Sequence, residues 1–373
     1  MQRPFCLEKR LVMKFDFCIG NPPYQEDSTG NSVVMPSIFN VFMDAAYTVA
    51  DKVEMITPAK FLFNAGSTPK AWNEKILNDE HFKVLLYEPD SSKFFSVTDI
   101  SGGIAIHYHD ENRDFGKIGI YTVYPELNSI VKKVSLKMSF GDLSSIVYSG
   151  RSDLKFTNEF LHDYPSSVNT RLSIMKAKKA DVTKLCPNEE YELRTNTLDV
   201  LSDVFLNVEP ADLENYYKIY GLSNNKRVYR WISKCYMKPR HIDDNNIKSY
   251  KVVIPLANEN KFGGILGQPL IFGPFESNTP TFISIGKFDT FIEASACAKY
   301  IKTKFVRALL GVLKATQLNS KPTWKYVPLQ NFTNNSDIDW SKSVHEIDLQ
   351  LYRKYGLSDE ETRFIEEKVK AMN

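Results

Sequence analysis

The first 125 residues alternate between short apolar runs and segments with helical spacing of apolar residues, which limits the possible folds more than any other feature. The runs predict strands at residues 15–19, 53–56, 82–87, 104–108 and 117–123. The intervening segments predict helices at residues 35–50 and 69–78. Strand–helix–strand order favours a largely parallel sheet, and ligands of such sheets bind beyond the carboxyl ends of the strands. The loop that begins at Asn21 lies at such an end.

The rest of the chain has a different pattern. Residues 126–190 are polar with helical character and are interpreted as a connector. Residues 191–373 mix short strands with Gly, Pro and Asn turns, one helix at about 289–314, and a final helix that a capping box at residues 358–361 starts. The predicted fold class is α/β: a partial Rossmann-like sheet in residues 1–125, a helical connector in residues 126–190, and an α+β domain with a C-terminal helix in residues 191–373.

Charge and cysteine content exclude several classes of protein. The net charge of +2 gives no general attraction to nucleic acid, so local clusters must provide it. The five cysteines are odd in number, widely spaced and without a Cys-x-x-Cys pair, which argues against a disulfide framework and a zinc site. We therefore expect no metal and a reducing, cytoplasmic compartment. No apolar stretch reaches 18 residues, so we expect no membrane span.

The tetrapeptide Asn21-Pro22-Pro23-Tyr24 carries the clearest chemical signal. The lone pair of an amine on an aromatic base is delocalised into the ring, and two acceptors aimed at its N–H bonds can free that lone pair. Asn21 offers a side-chain carbonyl and Pro22 a backbone carbonyl, while the two prolines stiffen the turn. The Tyr24 ring offers a flat face to an extruded base. A plain turn is the alternative, since Asn-Pro and Pro-Pro pairs also mark turns.

Residues 15–25 resemble motif IV of amino-methyltransferases, and two further segments resemble the adenine-specific enzymes of bacterial restriction–modification systems. Residues 56–62 are similar to motif VI, and residues 94–104 to the motif VII–VIII region. Looser similarity to the recognition domains of those enzymes covers residues 300–305, 326–332 and 351–357. The resemblance implies adenine-N6 methylation of double-stranded DNA with a flipped adenine, using S-adenosyl-L-methionine. Phe61, Phe94 and Phe95 are then substrate-binding candidates, with the protein core as their alternative place.

The cofactor site of that family is incomplete in this sequence. The resemblance implies a Gly-rich loop upstream of motif IV, but only 20 residues precede Asn21 and they contain no such loop. The best downstream segment, residues 262–267, lacks a preceding apolar strand, and Pro269 prevents a following helix, so it is predicted to be a turn. Either a second polypeptide carries the cofactor-binding half, or the chain is a truncated, inert product.

Two basic clusters interleaved with aromatic residues are candidates for DNA contact. No Asp or Glu occurs between Glu293 and Asp337, and this span contains seven lysines and arginines. Such one-signed stretches neutralise phosphates and make binding depend on salt. The predicted DNA-binding residues are Arg227, Arg230, Lys234, Lys238, Arg240, Lys302, Lys304, Lys321, Trp324 and Lys325. Their alternative is a solvated helix face with core aromatics.

Three functions follow from these observations. The first is site-specific adenine-N6 methyl transfer to DNA by a C-terminal portion or split subunit of the enzyme. The second is a catalytically inactive DNA-binding specificity subunit or remnant, which the missing Gly-rich loop favours. The third is methylation of a protein glutamine, because that reaction also uses Asn-Pro-Pro-Tyr, although the basic segments speak against it.

Overall fold

The structure is a computed structural model that describes residues 14–25, 36–64, 66–95, 100, 102–149, 154–165, 193–239, 246–258, 262–313 and 318–372. It is a mixed α/β protein with several sheets. The chain divides into two compact units, Met1–Asn128 and Ser129–Asn373. Part of the predicted connector, residues 150–153 and 166–190, lies outside the described residues, and the division into three domains stays a prediction.

The first unit contains one four-stranded sheet. Its elements are β1 (Phe15–Gly20), α1 (Phe39–Val49), β2 (Ala50–Pro58), α2 (Lys70–Leu77), β3 (Phe82–Glu88) and β4 (Ile104–Asp110), with 3-10 helices at Lys60–Phe63 and Ser91–Lys93. The strand order is β1-β2-β4-β3. β1 pairs with β2 in parallel, and β4 is antiparallel to both β2 and β3.

The prediction of a largely parallel sheet was therefore wrong, although β1, β2 and β3 run in the same direction. Parallel neighbours need a crossover connection, usually through a helix, and α1 provides one between β1 and β2. After β3, the described residues contain only the short 3-10 helix Ser91–Lys93, so the chain turns back and β4 enters between β2 and β3.

The predicted fifth strand, residues 117–123, is not a strand. Gly116 and Gly119 have φ of +76° and +63°, which strand geometry does not allow. The Phe115 N–H donates to the Glu80 carbonyl at 2.7 Å, and the Gly119 N–H donates to the Leu77 carbonyl at 2.7 Å. These bonds hold the segment against the end of α2 and its following turn instead of at the sheet.

The core of the first unit lies on one face of the sheet. Alternate strand residues, among them Cys18, Val53 and Met55, face α1 and α2. Phe61 occupies the centre, with its ring within 5.5 Å of Trp72 and 6.3 Å of Phe82 between centroids. This packing fixes β2 and β3, and with them the loops at their carboxyl ends.

The described residues of the second unit form three sheets, of four, three and two strands. Their strand orders are β11-β10-β13-β5, β12-β7-β8 and β6-β9. The strands are β5 (Val147–Ser149), β6 (Leu154–Phe156), β7 (Tyr216–Ser223), β8 (Lys226–Ser233), β9 (Met237–Pro239), β10 (Tyr250–Pro255), β11 (Leu270–Phe272), β12 (Glu276–Asn278) and β13 (Phe282–Phe288). The α-helices that follow α2 are α3 (Pro125–Ser135), α4 (Asn158–Asp163), α5 (Thr197–Val200), α6 (Phe291–Lys302), α7 (Lys304–Leu313), α8 (Val344–Tyr355) and α9 (Asp359–Lys368). Further 3-10 helices are Leu143–Ile146, Leu213–Asn215 and Lys321–Trp324.

The helix predicted at about 289–314 is two helices that meet at Thr303. Thr303 takes an extended ψ of 149° and so ends α6. The carboxylate of Asp348 then accepts the Lys304 and Phe305 N–H groups at 3.0 and 2.9 Å, which caps α7. The final helix begins at the predicted capping box and ends at Lys368. No helix in the described part of the chain is long and apolar enough to cross a membrane.

Candidate catalytic edge of the first sheet

The Asn-Pro-Pro-Tyr segment leaves the sheet at the carboxyl end of β1. The parallel register places Gly20 opposite Met55, three residues before β2 also ends at Pro58. Asn21 is exposed directly after the strand, whereas Pro22 is buried and Pro23 is exposed. The buried proline anchors a turn that presents the Asn21 side chain to solvent, at the edge where parallel strands place ligands.

Tyr24 is held from both its backbone and its ring. Its carbonyl accepts the Ile38 N–H at 3.3 Å, and Gln25 forms a bridge with Ser37 just before α1. The half-buried ring packs against the core, and burial raises the pKa of the phenol. The hydroxyl is buried without a hydrogen-bond partner among the described residues. The contribution of Tyr24 is thus its ring, and its hydroxyl makes no contact that would define a proton-transfer role.

The loop after β3 brings a second ring to Tyr24. The rings of Tyr24 and Phe95 lie 6.5 Å apart at an interplanar angle of 79°. Ser91 fixes this loop because its carbonyl accepts the Phe94 and Phe95 N–H groups at 3.0 and 2.9 Å, and its Oγ accepts the Ile100 N–H at 2.8 Å. Phe94 is 45% exposed. Phe95 therefore lies against the Tyr24 ring, and Phe94 precedes it in the same loop. Substrate binding by these two residues stays a prediction.

Two glycines join the remaining loops of this edge. The Gly103 carbonyl accepts the Ala59 N–H at 3.0 Å, which ties the end of β2 to the start of β4. A Cβ on Gly103 would lie 2.3 Å from the Glu88 carbonyl oxygen, so the loop after β3 passes against its backbone. Gly102 accepts the Tyr87 hydroxyl at 3.4 Å. The loops that follow β1, β2 and β3 thus meet at one edge.

The structure corrects the placement of Phe61. Its ring is fully buried and makes edge contacts with Trp72, Phe82 and His107. After Pro58 the chain enters a 3-10 helix, whose rotation points Phe61 into the core. Phe61 cannot touch a base without leaving that position, so it supports the fold of the site instead of lining it.

Lys60 is a feature of this edge that the sequence interpretation missed. Its aliphatic stem passes between Gly66 and Gly102, where added Cβ atoms would lie 3.0 and 2.6 Å from it. Both glycines have φ near +90°, a conformation that other residues rarely adopt. The available signal was the position of Lys60 two residues after the end of β2, next to the core residue Phe61.

The residues that the structure describes do not form a complete site for S-adenosyl-L-methionine. Among the described residues no strand leads through a Gly-rich turn into a helix beside β1. The downstream candidate at Gly263 and Gly264 is a turn, as predicted: the Gly263 carbonyl accepts the Lys370 N–H at 3.2 Å, and a Cβ there would lie 2.8 Å from the Lys368 carbonyl oxygen. This turn packs against the C-terminal segment and leaves no room for a nucleoside.

The predicted DNA-binding residues of the second unit fall into two groups: some are exposed to solvent, and others are buried or bonded within the protein. β7 and β8 form a hairpin whose turn, Asn224-Asn225, has φ of +48° and +60°, and Lys226 and Arg227 are exposed beside that turn. A two-stranded ribbon of this kind fits a DNA groove. Lys238, Lys321 and Lys325 are also exposed, and Lys302 is half-buried. These side chains are accessible to solvent, and DNA contact by them stays a prediction.

Several predicted DNA-binding residues have other roles in the structure. The Trp324 ring is fully buried and its Nε1 donates to the Asn319 carbonyl at 3.2 Å, so it is a core residue and cannot stack on a base. Lys304 forms an ion pair with Glu366 at 2.6 Å and is mostly buried. Lys234 lies 3.7 Å over the Phe275 ring, and Arg230 donates to the Tyr229 carbonyl at 2.8 Å. Arg240 lies outside the described residues.

None of the predicted DNA-binding residues lines a cavity of about 540 Å³ in the second unit. Its lining includes Phe291, Phe332 and Trp340, together with Asp337 and Asp339. The two carboxylates disfavour binding of a phosphate backbone. Asp337 forms an ion pair with Lys354 at 2.8 Å, and Asp339 accepts hydrogen bonds from the Ser341 N–H and hydroxyl. Both carboxylates thus have partners within the protein.

Comparisons with known proteins agree with this reading of the first unit. Residues 3–95 match the Eco57I restriction-modification methylase family. An uncharacterized adenine-specific methylase of Mycoplasma pneumoniae (strain ATCC 29342 / M129 / Subtype 1) is 34% identical over 118 residues, which are 30% of this chain. The chain spans about a quarter of that relative, 27% of its length.

A solved structure, that of the type IIG restriction endonuclease BpuSI, aligns with 96% of this chain and 55% of its own. At 9% identity and a TM-score of 0.30, this likeness transfers no arrangement of elements. The family match covers both β1 and the Asn21–Tyr24 turn. The resemblance to the adenine methyltransferases of restriction–modification systems is therefore confirmed.

Proposed function

We propose that this chain is the target-binding part of a site-specific, S-adenosyl-L-methionine-dependent adenine-N6 DNA methyltransferase of a restriction–modification system. In this proposal residues 1–125 are part of a Rossmann-like catalytic domain, and residues 191–373 form a domain that recognises DNA. Residues 126–190 connect the two domains. One observation carries the proposal: exposed Asn21 follows β1 directly, three positions before Tyr24, whose ring meets Phe95.

The chemistry of this edge suits an aromatic amine. The Asn21 side-chain carbonyl and the Pro22 backbone carbonyl are the acceptors for the two N6 hydrogens of an extruded adenine. Their pull localises the lone pair of N6 and so prepares the amine to take a methyl group. S-adenosyl-L-methionine, when bound, would supply that group by cleavage of its sulfonium–methyl bond, and one N6 proton would pass to solvent. Tyr24, with Phe95 and exposed Phe94, supplies aromatic surface for the base. The acceptors need no reorganisation, because buried Pro22 holds the turn.

The target in this proposal is double-stranded DNA. The exposed Lys226 and Arg227 at the β7–β8 turn, with Lys238, Lys321 and Lys325, provide phosphate contacts. The same residues speak against a protein glutamine as the substrate, because a peptide offers no row of phosphates. In this proposal the Gly-rich half of the methyl-donor site, which the described residues do not form, is supplied by a second polypeptide or by a further part of the same protein.

The proposal is tested in the producing cell, where every partner is available. Genomic N6-methyladenine is mapped by single-molecule sequencing after deletion of the gene, and after complementation with the wild-type chain, Asn21→Ala or the exposed control Asn334→Ala. We expect methylation at one recurring sequence to vanish on deletion and to return with the wild type and Asn334→Ala only. Methylation that survives deletion, or that Asn21→Ala restores, would overturn the proposal.

A further inference from the structure

The side chain of Lys60 lies in a slot between two glycines. An added Cβ on Gly66 would come within 3.0 Å of the Lys60 Cβ, and one on Gly102 would come within 2.6 Å of its Cγ and 3.0 Å of its Cε. The φ angles of Gly66 and Gly102 are +92° and +89°, so both loops take a conformation that side-chain-bearing residues rarely adopt. The stem of Lys60 is therefore held from Cβ to Cε, and its ammonium group lies at the Gly102 end of the slot.

The walls of this slot are fixed by the fold. The Gly103 carbonyl accepts the Ala59 N–H at 3.0 Å, so the loop that contains Gly102 is tied to the end of β2. Lys60 opens the 3-10 helix that follows β2, and the next residue, Phe61, is fully buried in the core. Both ends of the lysine stem thus lie against backbone that cannot shift without disturbing the sheet or the core.

The ammonium group of Lys60 has no anion within the described part of the chain. The other charged side chains in the described parts of these loops have local partners: Glu88 forms an ion pair with Lys93 at 2.9 Å, and Asp90 accepts the Ser92 hydroxyl at 2.6 Å. Lys60 is half-buried, and neither a carboxylate nor a carbonyl of the described residues accepts its Nζ. A lysine normally loses much rotamer freedom when it binds an anion, but here the slot has already removed most of it.

We propose that the Lys60 ammonium group binds a backbone phosphate adjacent to the extruded adenine. This inference rests on the proposed function and adds a positioning residue to it. An ammonium group offers three N–H donors and no acceptor, which suits the oxygens of a phosphate. Phosphate contacts fix the register of a protein on DNA without reading its sequence. Lys60 touches none of the reacting atoms, and its role is to hold the strand while the base is out of the duplex.

The position of Lys60 relative to Asn21 favours a phosphate of the same nucleotide or its neighbour. Asn21 follows β1 and Lys60 follows β2, which are adjacent parallel strands, so both lie at the same edge of the sheet. An extruded nucleotide rotates about its backbone, so the base enters the site while the phosphates on either side stay with the strand. An adenine whose amine is bound at Asn21 therefore brings its sugar–phosphate chain across the edge that carries Lys60.

Uncharged phosphate analogues test this contact on the full chain, purified from the producing cell with whatever co-purifies. Each duplex contains the recurring methylated sequence and one methylphosphonate linkage, placed on either side of the target adenine. Lys60→Met keeps an unbranched stem for the slot and removes the charge. Lys83→Met is the matched control, because Lys83 is exposed near the start of β3, at the opposite end of the sheet. Fluorescence anisotropy measures the affinity of each protein for each duplex.

The affinities should show that Lys60 and one phosphate act as a pair. We expect one uncharged linkage to lower wild-type affinity by about tenfold or more. Lys60→Met should show a similar loss with unmodified DNA and no further loss with that linkage, and its slope of log affinity against log salt should fall by about 1. Lys83→Met should behave as the wild type. An unchanged salt slope in Lys60→Met, or linkages that weaken it as much as the wild type, would overturn the proposal. A loss of affinity for S-adenosyl-L-methionine in place of DNA would do the same.

A double-mutant cycle tests the slot itself. Gly102→Ala places a Cβ against the stem of Lys60, so it should lower DNA affinity in the wild-type background and have no effect in the Lys60→Met background. Equal losses in both backgrounds would contradict the proposal. Thermal midpoints identify any variant that fails to fold. If Lys60→Met does not fold, Gly102→Ala replaces it in the linkage experiment, where it should be insensitive to the same methylphosphonate.

Failure of this inference is distinguishable from failure of the proposed function. If genomic methylation requires Asn21 but Lys60→Met keeps the wild-type salt slope and linkage sensitivity, the function stands and the phosphate contact falls. If the linkage experiment finds the contact but genomic methylation survives Asn21→Ala, the phosphate contact stands and the function falls. A wild-type protein that does not bind the duplex would overturn both.

Discussion

The ring of Tyr24 meets the ring of Phe95 edge to face, with centroids 6.5 Å apart and planes inclined by 79°. The two rings come from different loops, one after β1 and one after β3. Aromatic pairs at this distance and angle attract each other beyond the area that they bury. The contact therefore joins the Asn-Pro-Pro-Tyr turn to the loop that carries Phe94, so both parts of the candidate site depend on it.

Replacing Tyr24 should separate the role of its ring from that of its hydroxyl. Stacking of a base on an aromatic ring contributes about 1–3 kcal/mol. We expect Tyr24→Ala to lower methyl transfer by the complete enzyme roughly 5- to 150-fold, the factor to which that energy corresponds. Tyr24→Phe should keep the activity, because the hydroxyl has no partner among the described residues. Steady-state methylation of a duplex substrate measures both.

The same pair of variants has opposite effects on stability. A buried hydroxyl without a hydrogen bond costs on the order of 1–3 kcal/mol. Tyr24→Phe should therefore leave the free energy of unfolding unchanged or raise it, whereas Tyr24→Ala should lower it. Urea unfolding provides the measurement. A Tyr24→Phe variant that is as inactive as Tyr24→Ala would mean that the hydroxyl takes part in the reaction.

Replacing Phe61 should mainly affect stability, whereas replacing Phe94 should mainly affect base binding. Phe61 is fully buried, so we expect Phe61→Ala to cost about 3–5 kcal/mol of unfolding free energy. Phe94 is 45% exposed, and Phe94→Ala should change stability by no more than about 0.5 kcal/mol. Base binding should show the reverse order among the folded variants, measured by 2-aminopurine fluorescence. Equal losses of stability would contradict the placement of Phe61.

Local patterns predicted the end of β1 and the Asn-Pro-Pro-Tyr turn after it because the determinants of both are neighbours in sequence. The apolar run before Gly20 and the two prolines define a strand end and a rigid turn without reference to distant residues. β4 depends instead on which strand it pairs with, and nothing in residues 104–110 encodes its insertion between β2 and β3. The burial of the Phe61 side chain was not predicted either. After Pro58 the chain forms a 3-10 helix, so the alternation of side chains along a strand no longer applies.

The distinction between local and distant determinants also explains which residues of the basic clusters are exposed and which are buried. The exposure of Lys226 and Arg227 follows from a two-residue Asn-Asn hairpin turn, which is a local signal. Trp324 lies in the 3-10 helix Lys321–Trp324, whose fourth position points inward. A run of alternating basic and aromatic residues cannot by itself indicate which rings are buried, because that depends on the helices packed against the run.

Gly103 should be irreplaceable, in contrast to Gly116. Both have φ of +76°, so alanine pays a similar conformational cost of about 1–2 kcal/mol at each. Only at Gly103 would the new Cβ meet backbone, 2.3 Å from the Glu88 oxygen and 2.7 Å from the Pro89 Cα. We expect Gly103→Ala to lower the free energy of unfolding by about 1–3 kcal/mol more than Gly116→Ala. Equal losses in urea titrations would show that the loop after β3 can move away.

DNA affinity should depend on the hairpin turn and not on every lysine of the basic segments. Lys226→Ala and Arg227→Ala remove exposed cations, and each should reduce the slope of log affinity against log salt by about 1. Lys304→Ala should leave that slope unchanged. It should instead lower stability by about 1.5–3 kcal/mol, because Lys304 bonds Glu366 at 2.6 Å in a mostly buried position. Fluorescence anisotropy over a salt series tests all three.

Acid should destabilise the first unit through His107. This side chain is fully buried, close to the rings of Phe61 and Phe82, and its Nε2 lies 3.2 Å from the Thr57 hydroxyl. Burial lowers the pKa of His107 to about 3, from an ordinary value of 6.5. Between these two pH values the unfolded chain binds a proton that the folded chain does not. The free energy of unfolding contributed by this group therefore falls as the pH falls through that window.

Below pH 6 the contribution of His107 to the slope of unfolding free energy against pH should approach about 1.4 kcal/mol per pH unit, because one proton is taken up on unfolding. His107→Leu should remove this contribution from the slope, whatever it does to the stability at neutral pH. His345→Leu is the matched control, because the His345 side chain is 64% exposed and should leave the slope unchanged. Urea unfolding at half-unit steps from pH 4 to 7 measures the slope. A wild-type slope that His107→Leu does not reduce would show that another group causes the acid sensitivity.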